Sequence, residues 1–193
     1  QKVHPIEEIA FPSYLHRSDK GADCSDPGNT DYTRGIQQTT NDWHIGTCFR
    51  IESIATTNKE MLSALMAGTT ALVVHAMNEN NLDFLQLFAG VELQYIHTTF
   101  YPKTLQQAIE FAAFVGEHPA AIVSDFNSEV LAQLDKVSKD NLRPFGVNAY
   151  AIQQAGATTW QELAVALAEG HELLVKQLDA GIPVDNAAKA IHF

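Results

Sequence analysis

Side chains that could take part in chemistry stand at the expected ends of the strands. They are Glu52, His75, His97, Asp125 and Asn148. Proteins built from parallel strands and helices place their reacting groups at the carboxyl ends of the strands. His75, His97 and Asp125 would give the two-histidine, one-carboxylate donor set of non-haem iron sites. Their spacing does not bring them together, so histidines that bond only to the backbone are the competing interpretation.

Other catalytic patterns are missing from the sequence. It contains no G-x-S-x-G, no H-E-x-x-H, no glycine-rich phosphate loop and no lysine inside a predicted strand. These absences argue against serine hydrolases, zinc peptidases, nucleotide binding and Schiff-base enzymes. Four aromatic residues could line an apolar pocket, although such residues more often pack in a core. They are Tyr95, Phe100, Tyr101 and Phe126.

The elements that would hold these residues alternate between strands and helices. We predict strands over residues 44–51, 70–76, 93–100, 120–124 and 143–150. Helical spacing of apolar residues between them predicts parallel strands with helical crossovers. A doubly wound sheet is the alternative, but the missing phosphate loop disfavours it. We therefore expect an α/β fold of the TIM-barrel type, incomplete, with about five strand–helix units.

Helix ends are signalled by capping residues. We expect capping boxes at Thr57 with Glu60, Thr104 with Gln107, and Thr159 with Glu162. The last long helix should bury one side and end at Gly181 before Pro183. That side carries Leu163, Leu167, Leu174 and Leu178. A short helix should follow over residues 185–191.

The chain is expected to have two parts. Residues 1–42 are rich in turn formers and predict an extended arm with at most one short helix near residues 5–10, whereas residues 43–193 predict the partial barrel. A complete barrel has eight strands in about 250 residues. Five units leave open sheet edges, so either the chain is a piece of a longer protein or a partner completes the sheet.

Composition limits the partners. The 193 residues include 23 acidic and 12 basic ones, a net charge of −11 that repels nucleic acid and anionic membranes. No apolar run reaches the roughly 20 residues that span a bilayer, and no secretory signal is evident. Cys24 and Cys48 are expected to be free thiols. We expect a cytoplasmic protein.

The last third of the sequence resembles a known family. The stretches Y-A-I-Q-Q-A-G-A at 150–157, Q-E-L-A at 161–164, L-A-E-G at 167–170 and G-I-P-V-D at 181–185 are similar to the barrel domain of methylmalonyl-CoA mutases. Tyr32-Thr33-Arg34-Gly35 followed by Trp43 resembles the segment that enters the first barrel strand of that family. The resemblance covers about residues 27–193 in matching order.

The departures from that family concern the substrate site. Ala151 stands where catalytic members have a histidine, and Val123 stands where they have a glutamine. The arginine segment that follows in catalytic members has no counterpart between Glu129 and Arg143, and the cobalt-ligand motif D-x-H-x-x-G is absent. The resemblance thus implies a non-catalytic small subunit without catalytic, cofactor or metal residues of its own. Its partner would be the catalytic large subunit, which would hold adenosylcobalamin, and the chain could also form a homo-oligomer.

Overall fold

A computed structural model describes residues 2–3, 10–14, 16, 26–29, 35, 38–40, 43–133 and 141–193 of the chain. The chain divides into two compact units, Gln1–Trp43 and His44–Phe193. The assignment of an arm to residues 1–42 and a partial barrel to residues 43–193 stays a prediction. Within the described ranges, no helix has both the length and the apolar character needed to cross a bilayer.

The first unit contains two short antiparallel strands, β1 (Lys2–Val3) and β2 (Ala10–Phe11). The helix expected near residues 5–10 is wrong at Ala10, which lies in β2, and its other residues fall outside the described ones. The turn expected at residues 26–29 is confirmed, because the Asn29 N–H donates to the Asp26 carbonyl at 3.2 Å. Of the Tyr32–Thr33–Arg34–Gly35 segment, only Gly35 is described.

The second unit is built on a parallel sheet of six strands among the described residues. The strands are β3 (Gly46–Ile51), β4 (Ala71–Ala76), β5 (His97–Tyr101), β6 (Ala120–Val123), β7 (Leu142–Gly146) and β8 (Ile191–His192). Their order across the sheet is their order in the chain. A doubly wound sheet reverses its strand order at one point, whereas a barrel does not. The predicted α/β fold of the incomplete barrel type is confirmed.

Helices alternate with these strands. They are α1 (Ile54–Met66), α2 (Phe84–Leu87), α3 (Leu105–Val115), α4 (Asn127–Leu131), α5 (Ala149–Gln154), α6 (Thr159–Asp179) and α7 (Val184–Lys189). The predicted short helix after Pro183 is confirmed as α7, but Ile191 belongs to β8 rather than to that helix. The sequence interpretation missed β8, and its count of five strands was therefore one short.

Two strand boundaries were wrong. The strand predicted over residues 93–100 begins only at His97, because Leu93–Tyr95 form a 3-10 turn. The strand predicted over residues 143–150 ends at Gly146, and the Asn148 side chain then caps α5 by accepting from the Ala151 N–H at 3.3 Å. This cap stops the strand, since its carboxamide pairs with a helical N–H.

Two of the three predicted helix starts were displaced. Thr104 caps α3 as predicted, with its hydroxyl accepting from the Gln107 N–H. Ser53 caps α1 instead of Thr57, which is buried one turn inside the helix. The last capping box joins Thr158 and Gln161, one residue before the predicted pair.

Alternation along the strands separates two faces of the sheet. Leu72, Val74 and Phe100 are buried on the face that the helices cover, and Phe111 of α3 packs on Phe100 with ring centroids 4.7 Å apart. The intervening residues, among them His75, lie on the opposite face, which we call the concave face. In β4 and β5 the hydrophobic core thus fixes one side of the strand and leaves residues of the other side half-buried, whereas all residues of β6 are buried.

The buried side of α6 differs from the prediction. Ala166, Gly170, Leu173 and Gln177 are its buried residues, whereas Leu163, Leu167 and Leu178 are exposed. Gln177 is accommodated because its side-chain N–H groups donate to the carbonyls of Leu173 and Ala187. The interior side of this helix is therefore formed by Leu173 together with two small residues and the hydrogen-bonded Gln177, and not by the predicted leucine stripe.

Candidate functional site

A cleft of about 450 Å³ opens at the carboxyl ends of the central strands. Residues at the ends of the strands and just after them line it: His75 and Ala76 at the end of β4, Tyr101, Pro102 and Lys103 at the end of β5, Val123, Ser124, Asp125 and Phe126 at the end of β6, and Asn148 and Tyr150 after β7. Parallel strands bring all of these ends to one edge of the sheet. The cleft is therefore the position at which this fold would place a ligand.

A row of side chains crosses three neighbouring strands beside the cleft; His75 and Tyr101 line the cleft, and Arg50 lines a separate depression. Arg50 of β3 is in register with His75 of β4, and His75 is in register with Tyr101 of β5. Adjacent strands lie about 4.8 Å apart, so the three side chains stand next to one another. The rings of His75 and Tyr101 are stacked, with centroids 4.1 Å apart and 13° between their planes.

The electrostatics of this row follow from burial and positive neighbours. Burial lowers the pKa of His75, and the charges of Arg50 and Lys103 lower it further. Burial also raises the pKa of Tyr101, with a smaller contribution from Cys48. At neutral pH the phenol therefore keeps its proton and can donate a hydrogen bond, while His75 is a neutral imidazole.

Two loops at the rim of the cleft are held by one buried amide. Gln107 is 1% exposed, and its Nε2 donates to the carbonyls of Asn78 and Asn80 at 3.0 and 2.7 Å. Its Oε1 accepts from the Lys103 N–H at 2.8 Å. The loop after β4 and the loop after β5 are thus tied to the same side chain of α3.

Asp125 lies between two depressions. It lines the main cleft and also a smaller one of about 180 Å³, which contains Glu129, Glu169, Glu172 and Lys176. Next to it, the Asn127 side-chain amide donates to the Gly146 carbonyl at 3.1 Å and to Glu169 Oε1 at 3.0 Å. These bonds fix the turn that carries Asp125 against β7 and α6.

The predicted metal set is wrong. His97 is the first residue of β5 and is in register with Ala71, whereas His75 is in register with Tyr101. Four residues of extended chain place His97 about 13 Å below the level of His75. Of the predicted set, only His75 and Asp125 line the cleft. Among the residues that the structure describes, no three His, Cys, Asp or Glu side chains could hold a metal ion together.

Of the other predicted site residues, some line the cleft and others do not. Asn148 lines the cleft, whereas Glu52 lines a separate depression beside Arg50. Val123 lines the cleft and is 5% exposed, while Ala151 lies on α5 and is not among the lining residues. Lys103 and Ser124 were missed, although both follow strand ends directly enough for the carboxyl-end rule to have included them.

The similarity to known proteins covers the residues that line one half of this cleft. Residues 120–193 match the family model described as methylmalonyl-CoA mutase. Over this stretch the chain is similar to methylmalonyl-CoA mutases. The stretch contains Val123, Ser124, Asp125, Asn148 and Tyr150, whereas the wall formed by His75, Tyr101 and Lys103 precedes it.

A curated relative supports the same assignment. Over 72 residues the chain is 33% identical to a protein named methylmalonyl-CoA mutase large subunit from Porphyromonas gingivalis (strain ATCC BAA-308 / W83). The match covers 36% of this chain and 10% of that protein. The chain therefore aligns with only a tenth of the relative's length.

The cofactor of this family, adenosylcobalamin, does not fit the residues of the cleft. The lining offers one imidazole, His75, and its ring is stacked on Tyr101 next to the positive charges of Arg50 and Lys103. Positive neighbours disfavour a further cation at that ring. We therefore derive no chemical step through the cofactor.

Proposed function

We propose that this chain is a non-catalytic small subunit of an adenosylcobalamin-dependent methylmalonyl-CoA mutase. In this proposal it acts in the cytoplasm and supports the catalytic subunit, which holds the cofactor and interconverts methylmalonyl-CoA and succinyl-CoA. The observation that carries the proposal is the apolar cleft wall at Val123, together with the alanine at position 151.

These two residues lack side-chain hydrogen-bond donors for a substrate thioester carbonyl. Removing one preorganised donor to a developing oxyanion typically lowers kcat by about 10²–10³. Valine has no donor at the cleft wall, and the Ala151 methyl group lies on an exposed part of α5. With valine and alanine at these two positions, neither side chain can donate a hydrogen bond to the substrate.

A strand edge is the contact that this proposal assigns to the partner. Within the described chain, β3 and β8 stand at the two ends of the strand order. Exposed strand edges favour pairing with another chain. A catalytic subunit would cover such an edge in this proposal, and a second copy of the chain is the alternative partner.

The relative is named as a large subunit. That match spans a tenth of the relative, so the choice between the two subunit types depends on Val123 and Ala151 rather than on overall similarity. The alternative of an independent metal-dependent enzyme using His75, His97 and Asp125 is not retained, because His97 lies away from the cleft.

Co-purification tests the proposal. The chain and a mutase large subunit would be mixed, separated by gel filtration, and assayed with adenosylcobalamin and methylmalonyl-CoA separately and together. We expect a complex that isomerises the substrate, and no turnover by this chain alone. Turnover by the isolated chain, or failure of the two proteins to associate, contradicts the proposal.

The double variant Val123→Gln, Ala151→His provides a matched comparison. It restores the two polar side chains without changing the open strand edges. We expect it to bind the large subunit as the wild type does. Loss of association in this variant would show that the cleft, and not the rest of the barrel, makes the contact.

A further inference from the structure

The sheet has an unusual distribution of charge. The six strands contain no Asp or Glu, although the chain as a whole carries a net charge of −11. The same strands carry Arg50, His75, His97, Arg143 and His192. Burial lowers the pKa of the three histidines, so Arg50 and Arg143 are the charged residues of these strands at neutral pH, and both are positive in an acidic protein.

The basic and donor side chains are aligned in register beside the main cleft. Arg50, His75 and Tyr101 form the row described above, and Lys103 follows Tyr101 by two residues. The charged groups that act on His75 are Arg50 and Lys103, and both lower its pKa. No ion pair is found for Arg50 or Lys103 among the described residues. Neither cation therefore forms an ion pair with a described carboxylate, although Glu52 and Glu60 line the depression that holds Arg50, and Asp125 lines the cleft with Lys103.

The donors of the row suit one kind of ligand. A guanidinium offers a planar fork of N–H groups, an ammonium offers a point charge, and the phenol and imidazole each add a single donor. A phosphate group carries a charge of about −1.5 to −2 at pH 7 and three acceptor oxygens. The cleft of about 450 Å³ beside His75, Tyr101 and Lys103 leaves room for it.

We propose that Arg50, His75, Tyr101 and Lys103 form a phosphate-binding site at the rim of the main cleft. The guanidinium and the ammonium supply the charge, and the Tyr101 hydroxyl donates a hydrogen bond. His75 donates its ring N–H and is held in place by stacking on Tyr101. The site depends on this chain alone and not on the proposed subunit role.

Two features of the surroundings set its limits. Asp125 stands after β6, within the lining of the same cleft, and would repel an anion that moved towards it. Val123 presents only methyl groups next to Asp125. The phosphate is therefore confined to the wall formed by β3, β4 and β5.

Titration with phosphate at constant ionic strength tests this site. The full chain would be titrated at pH 7.5 with sodium phosphate and, separately, with glycerol phosphate, with sodium chloride as the balancing salt. We expect saturable binding with a dissociation constant of about 1 mM or tighter. Binding of the inorganic ion alone assigns a free phosphate, and binding of both assigns a phosphate ester as an acceptable ligand. Absence of saturable binding of either overturns the proposal.

Matched variants separate a built site from a diffuse positive field. Arg50→Gln and Lys103→Gln, both at exposed positions, should each weaken phosphate binding at least tenfold. Arg143→Gln is the control, because it makes the same chemical change at an exposed position on β7. An equal loss in Arg143→Gln and Arg50→Gln would overturn the proposal.

Proton NMR of the imidazoles gives a readout that a structural role would not produce. A bound dianion stabilises the protonated ring, so the pKa of His75 should rise on addition of phosphate in the wild type. In Arg143→Gln the rise should persist. A His75 pKa that is the same in phosphate and in chloride would count against the site.

Discussion

Replacing His192 by glutamine should remove a pH dependence that the native fold carries between pH 6.5 and pH 4. Both ring nitrogens of His192 are buried, and neither has a hydrogen-bond partner among the described residues. Burial is the main reason that its pKa falls from 6.5 to about 4, and the charges of Arg143 and His97 lower it further. Protonation is therefore much harder in the folded state than in the unfolded one.

The sign and size of the effect follow from proton linkage. Between pH 6.5 and about 4 the unfolded chain binds the proton and the folded chain does not, so stability is complete above pH 6.5 and is lost as the pH falls. One pKa unit corresponds to about 1.4 kcal/mol, which gives an upper limit of about 3 kcal/mol at pH 4 and about 2 kcal/mol at pH 5. His75 and His97, whose pKa values are also lowered, contribute in the same direction.

Urea unfolding followed by circular dichroism at pH 7.5, 6, 5 and 4 measures this dependence. We expect the free energy of unfolding of His192→Gln to fall less with acidification than that of the wild type, by up to about 2 kcal/mol at pH 5. His171→Gln is the control, because His171 is exposed on α6. Parallel pH profiles for wild type and His192→Gln would refute the reasoning.

Three further predictions concern stability in the same unfolding assay at pH 7.5. Gly146→Ala should lower the free energy of unfolding by about 1–3 kcal/mol, because the added Cβ would lie 2.6 Å from the Ile122 carbonyl oxygen. Gly46→Ala is the control, since an added Cβ there meets open space, and it should change stability by less than about 0.5 kcal/mol. Equal effects of the two variants would contradict the packing argument. Gln107→Ala should cost about 2 kcal/mol, because two carbonyls and one N–H lose their partner, and no measurable loss would show that water replaces the amide. Thr158→Ala should cost about 1 kcal/mol through loss of the capping box, and an unchanged midpoint would mean that the box is not formed in solution.

Much of the fold could be predicted from local patterns. The strands at residues 71–76 and 120–123 are short apolar runs with few alternative structures, and the Thr104 cap precedes a regular helical pattern. Errors arose where two neighbouring residues could play the same role. Ser53 and Thr57, or Thr158 and Thr159, differ little in capping propensity, so tertiary packing decides between them.

The candidate site was less predictable, because register decides it. His97 was predicted to be a strand-end residue, but the 3-10 turn at Leu93–Tyr95 makes it the first residue of β5, at the opposite end of the strand from the cleft. The burial of α6 also needed the structure: at Gly170 an added Cβ would meet the Phe193 ring at 2.6 Å, so close packing of the helix selects small residues. Leucine periodicity carries no information on such a contact.

The Gln107 amide has a consequence for how the cleft can move. Because one side chain joins the backbone at Asn78 and Asn80 to the backbone at Lys103, the two rims cannot fluctuate independently while these bonds persist. Any opening of the cleft therefore requires both loops to move together with α3 as one rigid body. The two loops should therefore open together and slowly, whereas loops without this link would move separately and fast. Hydrogen exchange rates of the amides on the two loops should accordingly change in parallel.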